Sequence, residues 1–193
     1  MTSNETTQPG CFFLVVGPSG AGKDSLMDGA RAQLPEKEFL FAKRVITRPP
    51  GMVGEDYVSC DPSTFTQKKN SGEFLVTWQA HGYQYGLEAS LINHQQQGKH
   101  VLANGSRAMV NELSHTVDNL VVVLVTAPID LLAKRLVKRG RETEAEIQKR
   151  LTRESVPLPD HVEVLTVSND TSLESGIERF IQAITTRAHS ART

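Results

Sequence analysis

A strand, a glycine-rich loop and a helix follow one another near the start of this chain, and that order constrains its fold more than any other feature. Cys11-Phe12-Phe13-Leu14-Val15-Val16 is an unbroken apolar run, Gly17-Pro18-Ser19-Gly20-Ala21-Gly22-Lys23-Asp24-Ser25 is the loop, and a helical segment begins Ser25-Leu26-Met27. The spacing from Gly17 to Gly22-Lys23 is that of a phosphate-binding P-loop. Backbone N–H groups can surround a triphosphate only where side chains do not block the approach, which accounts for Gly17, Gly20 and Gly22. The loop opens a helix, so its unpaired N–H groups and the positive end of the dipole face the phosphates. All nine residues from Gly17 to Ser25 are therefore read as binding a nucleoside triphosphate. Lys23 reaches the β- and γ-phosphates and follows the charge that moves during transfer, which makes it a catalytic candidate. The position after it, ordinarily a hydroxyl that helps hold Mg²⁺, is here Asp24. Either Asp24 holds the metal as a hard carboxylate, directly or through water, or Ser25 does so after a small shift. A glycine-rich turn with no ligand is the bland alternative, but such turns rarely keep this order directly after a strand.

The rest of the chain supports a doubly wound α/β sheet. Strands are expected over 11–16, 39–46, 99–104, 119–126 and 162–167, and helices over 23–33, 88–97, 106–115, 129–139, 143–155 and 171–187. Val121-Val122-Val123-Leu124-Val125 is a continuous apolar run, as a parallel strand covered on both faces requires. Ile129, Leu132, Ala133, Leu136 and Val137 then recur at helical spacing. A net charge of -1 makes no electrostatic case for nucleic acid or an anionic membrane. Two cysteines and six histidines show neither a disulfide framework nor metal-ligand spacing. No stretch has transmembrane length and the polar N-terminus lacks a signal-peptide core, so a cytoplasmic location is expected. A single domain over 10–187 is expected, with disordered tails over 1–9 and 189–193.

Residues 47–87 break the strand–helix alternation. They hold Pro49, Pro50, Pro62, all three tyrosines and the only tryptophan. An insertion of this size exceeds an ordinary loop. It is read as a small subdomain over the sheet's carboxyl edge, where open α/β folds bind ligands. A P-loop with such an insertion points to a kinase whose second substrate docks in the insertion.

Three segments carry a family resemblance: Thr47-Arg48-Pro49-Pro50, Gly54-Glu55-Asp56-Tyr57 and Gly82-Tyr83-Gln84-Tyr85-Gly86. In this order they resemble the acceptor-binding segment of guanylate kinases. Arg139-Gly140-Arg141-Glu142-Thr143-Glu144 is similar to the lid of those enzymes, so a lid is expected at about 139–145. The resemblance implies that Arg48, Tyr57 and Tyr85 bind the acceptor's phosphate, a task that suits an arginine fork and phenol donors. It also implies catalytic roles for Arg139 and Arg141 and a nucleotide contact near the adenine for Asn169. Asn169 and its neighbours Asp170 and Thr171 read equally well as a turn that caps the last helix. Arg135 and Arg150 are further lid candidates.

The departures from that family matter as much. Where guanylate kinases carry guanine-reading carboxylates, this chain has Val76 and the stretch Ala103-Asn104-Gly105-Ser106-Arg107. A pocket built on hydrogen bonds loses discrimination of about 10⁴ when its acceptors go. A second arginine expected near Pro50-Gly51 is absent, and Arg107 is new. The Gly-Lys-Asp-Ser ending, the Thr-Arg-Pro segment and Asn104-Gly105-Ser106-Arg107 resemble the ribose 1,5-bisphosphate phosphokinases, a guanylate-kinase-like family linked to phosphonate breakdown. That resemblance implies ATP and Mg²⁺, a small sugar bisphosphate as acceptor, and 5-phospho-α-D-ribose 1-diphosphate (PRPP) as product. A doubly phosphorylated acceptor wants extra cations, and Lys43, Arg44, Arg48 and Arg107 are available. Two rivals stand beside this reading: a nucleoside monophosphate kinase with a rearranged base pocket, and a degenerate kinase domain used for binding. A homodimer is compatible with this reading.

Overall fold

The computed structural model describes residues 8–50, 56–139 and 156–191. Its centre is β1 (Phe12–Val16), in which every residue is buried. Around it lie β2 (Phe39–Phe41), β7 (His100–Asn104), β8 (Leu120–Thr126) and β9 (Glu163–Ser168), in the spatial order β2-β7-β1-β8-β9. All four pairings are parallel, with Phe12 opposite both Val101 and Leu120. Alternation along the strands feeds two cores. Phe13, Val15, Val121, Val123 and Val125 face α1 (Lys23–Arg31) and α6 (Leu173–Ser190), meeting Leu26, Met27, Phe180 and Ile184. Phe12, Leu14, Val16 and Val122 face the opposite way, against Leu91 of α3 (Ser90–Gln96) and Val110 and Leu113 of α4 (Val110–Ser114). This is the expected doubly wound α/β sheet. The helix expected over 143–155 lies outside the described residues, as does the lid segment beyond Arg139, the last residue of α5 (Ile129–Arg139).

Two expectations about boundaries are corrected. Residues 39–46 are not one strand. The chain leaves the main sheet after β2 and enters a second sheet at β3 (Arg44–Ile46). The second sheet has four strands in the order β4-β3-β6-β5, where β4 is Tyr57–Ser59, β5 is Phe74–Ala80 and β6 is Tyr83–Glu88. The reason is pairing: Phe39, Leu40 and Phe41 align with β7, whereas Val45 and Ile46 align with Gly86 and Tyr85 of β6. The insertion therefore starts a strand earlier than 47. The last helix also runs on to Ser190, because Ala188 continues its core face and Ala191 packs beside it. Its N-cap is Ser172, whose hydroxyl accepts from the Ser175 N–H at 3.2 Å, and not Asp170 or Thr171.

The insertion is held as a unit. Trp78 faces Tyr85 across the β5–β6 hairpin, with the rings stacked at 5.2 Å. The hairpin turns on His81 and Gly82, both at positive φ, the signature of a two-residue turn that matches strand twist. Val76 and Leu87 carry the insertion's apolar face into the second core. Between β4 and β5, α2 (Pro62–Asn70) is capped by Asp61, which accepts from the Ser63 and Thr64 N–H groups and from both hydroxyls. Those four donors hold the Asp61 carboxyl far below its usual range.

A carboxylate whose pKa is depressed in the folded state stabilises the fold above its unfolded pKa and loses that contribution as pH falls. Asp61→Asn keeps a capping side chain but cannot titrate. Urea unfolding from pH 6 down to about pH 2 is expected to show a shallower acid loss of stability for Asp61→Asn than for the wild type. Parallel acid slopes for the two proteins would contradict the cap assignment.

Candidate active site

All five strands of the main sheet end on the same side, and the residues just beyond those ends build the site. Gly17–Gly22 connects β1 to α1. Gly22 sits at φ 89 as the residue before the helix, in a conformation that a side chain resists. A Cβ there would also lie 2.4 Å from the Asn169 amide nitrogen. Asn169 is buried directly after β9. Its Nδ2 donates to the Ala21 carbonyl at 2.7 Å, and its own N–H donates to Thr126 O at the end of β8. The loop is thus fastened from the far side of the sheet. From α5, Arg135 Nη1 approaches the Gly20 carbonyl at 3.4 Å. Lys23 Nζ donates to the carbonyls of Gly17 at 2.9 Å and Pro18 at 3.2 Å, which lays it along the loop.

A cleft of about 460 Å³ opens beside this loop, lined by Gly20, Gly22, Ser25, Arg135, Lys138, Asn169 and Leu173. It offers two cations and an apolar edge next to the phosphate loop. Ser25 lies in it, on the β9 side of β1. Asp24 points the other way, toward β7 and the second sheet. Its Oδ1 accepts from Asn104 Nδ2 at 2.5 Å and lies 3.5 Å from Arg44 Nη2. The two metal candidates therefore occupy opposite sides of the loop. Among the described residues, the contacts of Asp24 fall on Oδ1 alone, so Oδ2 remains a hard oxygen donor next to Lys23. No group of three or more His, Cys, Asp or Glu gathers among the described residues.

The acceptor candidates separate into two pairs. Arg48 is buried, with its guanidinium 4.3 Å above the ring of Tyr57. Tyr57 donates its hydroxyl hydrogen to Pro49 O at 2.6 Å, and Ser59 Oγ donates to Arg48 O at 2.7 Å, so the Arg48–Pro49 turn is tied to β4. Tyr85 pairs instead with Arg44, whose guanidinium lies 5.9 Å from its ring. Arg107 opens a 3-10 turn, Arg107–Met109, just after β7. Of the two arginines expected to be catalytic, Arg139 ends α5 and Arg141 lies outside the described residues. Arg135, a lid candidate by sequence, reaches the loop at Gly20, and Arg44, one of the cations the sequence offered, reaches Asp24. The pairing of Arg44 with Asp24 joins residues far apart in sequence, so no local pattern announces it.

A phosphate loop at the centre of a parallel sheet, with a cation-bearing insertion over its carboxyl edge, defines a P-loop kinase fold. The guanylate kinase family model matches residues 11–186. The chain is 50% identical over 183 residues to the bifunctional ribose 1,5-bisphosphokinase-thymidine phosphorylase of Cupriavidus pinatubonensis, a match covering 95% of this chain and 30% of that protein. It is 40% identical over 182 residues to the ribose 1,5-bisphosphate phosphokinase PhnN of Agrobacterium fabrum, covering 94% of this chain and 100% of that one. The chain spans between 25% and 30% of the length of the bifunctional relatives. Its fold is similar to that of guanylate kinase from Anaplasma phagocytophilum, with a TM-score of 0.66 at 14% identity over 94% of this chain and 88% of that one. The chain belongs to the guanylate kinase family, in the group of the ribose 1,5-bisphosphate phosphokinases.

The fastening of the loop can be tested. Asn169→Ala removes a buried donor and leaves the Ala21 carbonyl without its partner, a loss of about 1–3 kcal/mol. Urea unfolding is expected to show that loss, and calorimetric titration with ADP is expected to show weaker binding. Wild-type ADP affinity in Asn169→Ala would mean that the loop does not depend on this bond.

Proposed function

We propose that this chain transfers the γ-phosphoryl group of ATP to the 1-phosphate of ribose 1,5-bisphosphate, giving PRPP and ADP, within organic phosphonate breakdown. The observation that carries this reading is the fate of the two positions where guanylate kinases read guanine. Val76 is buried in the core, and Asn104 turns its amide to Asp24. Neither presents a carboxylate to a base. The name of the full-length relative at 40% identity supports the same acceptor.

The attacking group is an oxygen of the 1-phosphate. A phosphate monoester has a second pKa near about 6, so the nucleophile is already anionic at neutral pH and needs no general base. The P–O bond to the γ-phosphorus forms as the bond to the bridging oxygen of ADP breaks. Catalysis then consists of placing two anions together and neutralising them. Backbone N–H groups of the loop between Ser19 and Ser25 cradle the donor phosphates, and Lys23 follows the transferred charge. Arg135 sits against the loop, and Arg139 and Arg141 are assigned the role of offsetting the developing charge. Arg48, Tyr57, Tyr85 and Arg107 receive the acceptor's phosphates. Asp24 Oδ2 suits Mg²⁺ as a hard donor beside the loop, with Ser25 on the nucleotide side as the alternative. When bound, the ion would offset charge on the donor phosphates.

Phosphorus NMR with ATP, Mg²⁺ and either ribose 1,5-bisphosphate or a panel of nucleoside monophosphates tests the reading. A new diphosphate signal is expected only with the sugar bisphosphate, and comparable turnover of GMP would sink it. Lys23→Ala is expected to lose at least about 10³-fold in kcat; activity near wild type would remove Lys23 from the mechanism. Asp24→Asn is expected to raise the Mg²⁺ concentration for half-maximal activity by about tenfold or more. An unchanged Mg²⁺ requirement would leave Ser25 as the donor.

A further inference from the structure

Lys43 and Arg44 are neighbours in sequence, yet their surroundings differ sharply. The Lys43 side chain is 53% exposed and pairs with Asp56 at 2.9 Å. The Arg44 side chain is 13% exposed and turns inward. Lys43 lies just before β3 and stays at the surface, whereas Arg44 is the first residue of the strand and is carried to the interior. There Arg44 is held from two directions: by the Asp24 carboxylate at 3.5 Å and over the ring of Tyr85 at 5.9 Å. Asp24 follows directly after Lys23, the residue that grips the donor phosphates. Tyr85 belongs to the acceptor segment. Arg44 thus stands between the two halves of the reaction.

The partners of Arg44 are themselves fixed. Asn104 ends β7, is buried, and commits its Nδ2 to the same Asp24 oxygen that faces Arg44. Its Oδ1 is buried with no hydrogen-bond partner among the described residues. A buried amide with one end unsatisfied is costly, and here it serves to hold the carboxylate in one orientation. Tyr85 is buried and stacked on Trp78, so the surface under Arg44 is rigid.

We propose that Arg44 is an acceptor-binding residue placed where donor and acceptor phosphates meet, and that Asp24 and Asn104 are positioning residues that aim it. The proposal rests on the reading of this chain as a phosphate-acceptor kinase. A guanidinium presents N–H donors in a planar fork that matches phosphate oxygens, whereas an ammonium is a point charge. The competing role is a plain ion pair that stitches the second sheet to α1. The two roles differ in what they tolerate. A stitch survives replacement by lysine, which keeps the charge opposite Asp24. A phosphate fork does not.

The test compares Arg44→Lys, Arg44→Gln, Asn104→Ala and the double variant Arg44→Gln/Asn104→Ala. Acceptor kinetics, ADP affinity by calorimetry and thermal melting are measured for each. Arg44→Lys is expected to lose about tenfold and Arg44→Gln about a hundredfold or more in kcat/KM for the acceptor. ADP affinity is expected to stay within about twofold of wild type. Asn104→Ala is expected to cost about tenfold alone and less than about twofold in the Arg44→Gln background, because it acts through Arg44. Wild-type kinetics in Arg44→Lys, a loss of ADP affinity in step with the acceptor defect, or full additivity in the double variant would each overturn the proposal. If the wild type phosphorylates a nucleoside monophosphate and not the sugar bisphosphate, the acceptor assignment falls. The same comparison is then made with that nucleotide, and the role of Arg44 is decided by the same criteria. Melting temperatures near wild type establish that each kinetic loss comes from a folded protein.

Discussion

The hydrogen bond from Asn169 to the Ala21 carbonyl is the contact on which the site depends. A loop that turns its N–H groups toward phosphate must pass through backbone conformations that favour glycine, as Gly20 and Gly22 do at φ 85 and 89. Such a loop has many alternatives open to it. Fastening it needs a rigid neighbour, and Asn169 is one because it follows directly on β9 and is locked to the end of β8. The loop's geometry is therefore inherited from the sheet. The sheet in turn is rigid because β1 is buried on both faces, between two apolar layers that alternate along its length.

Asp24 ties the loop to the second sheet. Its Oδ1 meets both Arg44 and Asn104, which joins α1, β7 and the second sheet at one oxygen atom. On the outer surface, Arg31 and Lys43 meet at Asp56 and make a second, more exposed link between α1 and the insertion. Exposed pairs of that kind contribute little to stability. The inner contact is the less exposed of the two.

Much of this was legible in the residues. The β1 and β8 runs announce parallel strands, because only a strand covered on both faces can be apolar at every position. The phosphate loop is legible because its chemistry demands glycines at set intervals. Arg48 and Tyr57 both lie in segments that carry the family resemblance, and the structure places the Arg48 guanidinium over the Tyr57 ring. The stretch 39–46 was misread because Phe39-Leu40-Phe41-Ala42-Lys43-Arg44-Val45-Ile46 contains no breaker. Its division between two sheets is decided by partners at Val101 and Gly86, far away in sequence.

By itself the sequence determined the class of fold, the glycine-rich loop after the first strand, and Val76 where the related guanylate kinases carry a carboxylate. These are local matters of side-chain type and spacing. Tertiary structure alone decided that Asp24 faces Arg44 and Asn104 while Ser25 faces the cleft with Arg135 and Asn169. Two adjacent residues on a helix point in different directions, and which direction meets which strand end depends on the order of strands in the sheet. With β7 on one side of β1 and β9 on the other, that order sends Asp24 toward the second sheet and Ser25 toward the cleft beside Arg135 and Asn169.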